Sequence, residues 1–325
     1  MAERQMRMGR ALYLVAALAA AACGGSQDSV SPAHGPNDVT AEQIDADPLA
    51  LLPSSAALLV RVDAASFYKS SSLGSSVAAL SDRLLPIGEE AGFLASRDVD
   101  QVTAAAYSMQ GADVAAVIKG RFDRERIEKA VANHTPTRGG GVIVSSTYAG
   151  RNLYTVNNTG FTILTPHTAL AGTESGMRRT LDRIKDGHVK RDLPEWMTKT
   201  IETDGAAIGI AADFSSQEMT QVTSVLPWLA GIKMARILAN FHEPGLNVAG
   251  TLTYADAGQA QSASEGLRRA GGMANLIAVT GLFPQLQGLL VSVADANVEV
   301  KFALDDQSLR RTLSQVPQWI QGASR

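Results

Sequence analysis

The stretch VEVKFALDDQSLRRTL, residues 298–313, holds the fold in miniature. Val298, Val300, Phe302 and Leu304 alternate with Asn297, Glu299, Lys301 and Ala303. A period of two marks a strand with one buried and one wetter face, as in an antiparallel sheet. Asp305 and Asp306 end that strand. Leu309, Leu313 and Val316 then recur with the 4-then-3 spacing of one helix face. An aspartate suits this junction, because the first helical turn has unpaired N–H groups and the positive end of the dipole.

The same junction returns along the chain. AALLVRVD ends at Asp63, DVAAVIKGRFD at Asp123, AAIGIAAD at Asp213 and LNVAGTLTYAD at Asp256. These aspartates are read as helix caps. They close separate strands, and none belongs to a paired-carboxylate motif. Ser215 and Glu218 add a capping-box pattern after Asp213. VSVADANVEV reads as a hairpin turning near Asp295-Ala296-Asn297.

The chain also reads as an internal repeat. MRRTLDRI begins at Met177 and LRRTLSQV at Leu309, an offset of 132 residues. Their apolar positions coincide: Met177, Leu181 and Ile184 against Leu309, Leu313 and Val316. The caps Asp123 and Asp256 lie 133 apart. The expected fold is therefore α+β. Two similar halves each carry an antiparallel sheet, with helices packed mainly on one face. The first half covers residues 49–187 and the second 205–325. The charged segment 188–204, with Pro194, reads as the linker.

Composition fits a globular core: 45% hydrophobic and 19% charged residues. The formal net charge of −3 gives no electrostatic case for nucleic acid or an anionic membrane surface. A single cysteine, Cys23, excludes an internal disulfide framework and a cysteine-based zinc site.

Residues 1–22 read as a signal peptide. Arg4, Arg7 and Arg10 precede an apolar run from Ala11 to Ala22. Twelve helical residues span ~18 Å, well short of the ~30 Å of a bilayer core. The segment Ala20-Ala21-Ala22-Cys23, followed by Gly24, resembles the signal of bacterial lipoproteins. The resemblance implies cleavage before Cys23 and lipidation, including palmitate, on its thiol. Ala20 stands where that family usually has leucine. Residues 23–48, rich in Gly, Ser, Pro, Asn and Asp, then read as a lipid-anchored flexible tether. A Gly after the cysteine implies, by the usual sorting pattern, the outer membrane, facing the periplasm or the cell surface.

Catalytic motifs are sparse. Ser66-x-x-Lys69 has the spacing by which a lysine activates a serine one helical turn away, as in penicillin-binding proteins. Composition alone supplies roughly 0.6 such matches, and partner motifs are missing. No His pair has ligand spacing, so neither a metal nor a cofactor is expected. The apolar stretch 271–293 contains Leu276, Leu282, Phe283, Leu286 and Leu289. These read as core or a sheet-covering helix, with the wall of a cavity for an apolar small molecule as the alternative. The expected function is a non-enzymatic envelope lipoprotein with a binding or scaffolding role, partnered by the membrane through Cys23 and by an envelope protein. The alternatives are a carrier of an apolar ligand such as a lipid and, more remotely, a serine hydrolase using Ser66 and Lys69.

Overall fold

The structure is a computed structural model. It describes residues 39–71, 73–84, 87–108, 113–137, 141–156, 159–215, 229–242, 245–278 and 285–323. The signal peptide, Cys23 and residues 24–38 lie outside the described residues. From Val39 onward the chain forms one compact unit.

Twelve strands build a single antiparallel sheet in the order β11-β12-β10-β9-β8-β1-β2-β3-β7-β6-β5-β4. The strands are β1 (Leu58–Val62), β2 (Val99–Ser108), β3 (Asp113–Gly120), β4 (Val144–Tyr148), β5 (Arg151–Val156) and β6 (Thr159–Ile163). They continue with β7 (Thr168–Gly172), β8 (Ile208–Asp213), β9 (Ile232–His242), β10 (Gly245–Tyr254), β11 (Leu286–Ala294) and β12 (Asn297–Asp305). The expectation of one sheet per half is corrected here. β1 and β8 pair directly, Leu58 opposite Ala212 and Val62 opposite Ile208, and join everything into one sheet. Outward from that seam the neighbours run β1-β2-β3-β7-β6 on one side and β8-β9-β10-β12-β11 on the other.

The helices are α1 (Ala41–Ala46), α2 (Pro48–Leu51), α3 (Ala64–Lys69), α4 (Gly74–Leu84), α5 (Ala95–Asp98), α6 (Arg124–Ala132), α7 (Glu174–Lys185), α8 (Glu195–Ile201), α9 (Ala257–Ala278) and α10 (Asp306–Ala323). They lie on both faces of the sheet, not mainly on one. Leu59 is in register with Ala105 and Ala211, and Val117 with Leu170, so these residues share a face. That face packs on Ile44, Leu51, Met177, Leu181, Met197 and Ile201 from α1, α2, α7 and α8. The opposite face carries Val102 and Ile118 against Ala64 of α3 and Ala95 of α5. It also carries Ala169 against Ile127 of α6, and Ala212 and Leu252 against Ala260 and Ala263 of α9. α10 packs on α4.

Small residues let the helices come this close. Ala105, Ala115 and Ala211 are essentially inaccessible. At Gly209 a Cβ would stand 2.7 Å from the Ile201 Cα, so α8 rests directly on the backbone of β8. At Gly176 it would stand 2.3 Å from the Val114 carbonyl oxygen, which brings α7 down onto β3 in the same way.

Two expected connectors belong to the folded body. The tether boundary at residue 48 is moved back, because residues 40–48 are tied down. Thr40 and Gln43 form a capping box, and Ile44 is 1% exposed. The Asp45 carboxylate accepts hydrogen bonds from Thr165 and Thr168, and Arg191 bridges Asp47 to Glu202. The linker 188–204 contains α8, whose Met197 and Ile201 are core residues. Their apolar side chains need the sheet, and so the charged surroundings do not free the segment.

Four of the expected capping aspartates act as caps. Asp63, Asp123, Asp256 and Asp305 accept from the backbone N–H of Ser66, Arg126, Gln259 and Ser308. Asp213 accepts from the Ser215 N–H, while Glu218 and the helix expected after it lie outside the described residues. At Asp305, burial works against ionisation, but backbone donors including Ser308 N–H hold the carboxyl below its ordinary value. The hairpin turn also forms: Ala294 pairs with Asn297, and Asp295 has φ +53°.

Replacing Ile44 with alanine should cost about 2–5 kcal/mol, as for a core residue. Chemical denaturation of the variant measures this; a change within about 0.5 kcal/mol would mean that residues 40–48 are not anchored. A second test is alkaline. Burial pushes Tyr254 up to about 12. The unfolded chain ionises near the ordinary value of about 10, so stability should fall as pH rises from about 10 to 12. Thermal melts should show that fall, and Tyr254→Phe should blunt it.

Candidate functional site

The sheet brings one set of strand ends together. Val62 of β1 lies opposite Ile208 of β8, and Gly245 of β10 lies opposite both His242 and Asp305. A cleft of about 600 Å³ opens at this end. Its lining includes Arg61, Asp63, Ser66, Lys69, the turn 203–207, Phe241 and Asp306. Thr203 closes the end of α8 by donating to the Thr200 and Lys199 carbonyls, and Gly205 takes φ +76° to turn the chain into β8. Phe67 meets Phe241 edge-on at 4.6 Å and supports α3 from below.

Ser66 is placed in the cleft, as its motif suggests, but its hydroxyl is engaged. It donates to Asp63 Oδ2 at 2.5 Å, while its backbone N–H donates to Asp63 Oδ1 at 3.0 Å. Lys69 sits one turn further along α3, exposed, with no hydrogen bond or ion pair among the described residues. The structure thus puts Ser66 under a capping carboxylate and does not connect it to Lys69.

Arg61 had no motif to mark it. It is half-buried, and its Nη2 donates to Gln101 Oε1 at 3.2 Å. Gln101 in turn donates to Thr103 Oγ1 at 3.0 Å, and Thr103 is 1% exposed. A buried hydroxyl therefore orients the guanidinium. Asp204 and Asp306 complete the charged lining. Two sequence signals point here: the Ser66-x-x-Lys69 spacing and the recurrence of aspartates at strand ends.

The 203–206 turn also lines a second groove of about 620 Å³, on the face that α8 covers further along the sheet. There Leu238, Ala249, Lys301 and Leu290 form one cross-strand row, and Arg236, Thr251, Glu299 and Ser292 the next. Leu290 is 67% exposed. Of the expected apolar wall, Leu286 and Leu289 are half-buried on β11. Leu289 reaches Gly271 of α9. Leu282, Phe283 and the side chain of Leu276 lie outside the described residues. Among the described residues, no three His, Cys, Asp or Glu side chains could together hold a metal. No helix among them is long and apolar enough to cross a membrane.

This architecture defines an α+β protein built on one large, wholly antiparallel sheet. No protein-family model and no curated protein matches the chain. Solved structures of TP0453 do. Crystal form I superposes with a TM-score of 0.51 at 12% identity, covering 83% of this chain and 97% of that one. Form III gives 0.51 at 12% identity, covering 83% and 98%. Form IV gives 0.50 at 11%, covering 82% and 96%. The likeness is one of fold, over nearly the whole of TP0453.

Proposed function

We propose that the protein is a cell-envelope lipoprotein, anchored through lipidated Cys23, whose folded body binds a partner or ligand without catalysis. One observation carries the non-catalytic reading. The serine of the Ser66-x-x-Lys69 motif has its hydroxyl committed to Asp63, at the start of a helix that needs that cap. A serine nucleophile needs a base to take its proton, and Lys69 does not reach Ser66. The cleft around it is open and polar, which suits binding. The lipoprotein-like signal supports export and an outer-membrane destination. The repeated neighbour order on either side of the β1–β8 seam supports an internal duplication.

Two experiments test this reading. In its host, Cys23→Ser should move the protein from the membrane pellet to the soluble fraction and abolish palmitate incorporation. A variant that stays membrane-bound overturns the anchor. A fluorescent phosphonate or penicillin should leave the purified protein unlabelled; labelling that disappears in Ser66→Ala would establish a hydrolase instead.

A further inference from the structure

Among the described residues, the cleft holds charges of both signs that do not neutralise each other. There Arg61 bonds to an amide, not a carboxylate. Among the described residues, Lys69 and the Asp204 and Asp306 carboxylates form no ion pair and accept or donate no side-chain hydrogen bond. Elsewhere the described arginines commonly meet acids, as in the Arg191 bridge to Asp47 and Glu202. Asp63 is not available in the same sense, since Ser66 occupies both of its oxygens.

We infer that this cleft binds a small zwitterion, a short peptide with a free amine and a free carboxylate. The inference rests on the reading that the cleft binds rather than reacts. Arg61, oriented by Gln101 and Thr103, offers donors in the fork geometry that suits a carboxylate, and Lys69 adds a second cation. Asp204 and Asp306 receive the ammonium group. The volume of about 600 Å³ lies within the ordinary range for small-molecule sites and exceeds what one amino acid fills. A dipeptide in extended form spans roughly 7 Å, enough to separate its two charges across such a cleft. Phe241 adds an apolar surface to the lining.

The test is calorimetric titration of the purified protein with L-alanyl-L-alanine, its N-acetyl derivative and its C-terminal amide. The free dipeptide should bind saturably. Capping either end should weaken binding roughly tenfold, the effect of losing one charge-assisted contact. Lys69→Gln should weaken the forms with a free carboxylate and spare the amide. Asp204→Asn should weaken the forms with a free amine and spare the N-acetyl derivative. Both residues are exposed, so neither change threatens the fold. Absence of saturable binding by the free dipeptide at about 10 mM, or equal binding of all three probes, overturns the zwitterion. Equal binding of all three would still leave a binding cleft, whereas phosphonate labelling at Ser66 would remove the reading beneath it.

Discussion

The antiparallel pairing of β1 with β8 is the contact on which the rest depends. Five residues on each side, from Leu58 opposite Ala212 to Val62 opposite Ile208, turn two sets of strands into one sheet. Without that ladder, β1 and β8 would each be an open edge with unpaired backbone groups. With it, Leu59 becomes an interior residue that shares a core with α1, α2, α7 and α8. The pairing also sets the strand ends of β1, β8, β10 and β12 beside each other, and the cleft is a consequence of that alignment.

Covering a central seam on both faces demands close packing. Alanines at 105, 115 and 211 and glycines at 176 and 209 meet that demand by bringing helix backbones onto strand backbones. The cover is uneven. The face bearing Leu59 is covered from β1 through β7, yet across β9 to β12 it presents Arg236, Glu299, Lys301 and Leu290 to solvent. A single sheet can therefore be a sealed core in one region and an open surface in another. The alternation of 297–304 fits the second region: its wetter side is the exposed one.

The sequence was most legible where a local rule governs. Helix caps at Asp63, Asp123, Asp256 and Asp305 follow from chemistry within three residues, and the hairpin at Asp295 follows from its turn. Met177, Leu181 and Ile184 were correctly placed on one buried helix face. What failed was non-local. Nothing within LLVRV or IGIAAD states that the two strands pair with each other, and so the sequence reads as two sheets where there is one. The polar composition of residues 40–48 hid Ile44, whose burial depends on a capping box and on threonines about 120 positions away. The charged segment around α8 hid Met197 and Ile201 in the same manner. Within the cleft, Ser66 and Lys69 carry a motif, and Asp63 and Asp306 carry the strand-end pattern. Arg61 and Asp204 carry neither, because only the fold brings them together.

Hydrogen exchange under native conditions tests the seam directly. If β1 and β8 bind the chain into one cooperative body, the amides of Leu59 and Ala211 should exchange only through global unfolding. Their opening free energies should then match those of buried amides in β3 and β10. Seam amides that exchange well before both flanking regions, leaving β2–β7 and β9–β12 separately protected, would show two independent halves and contradict the single-sheet account.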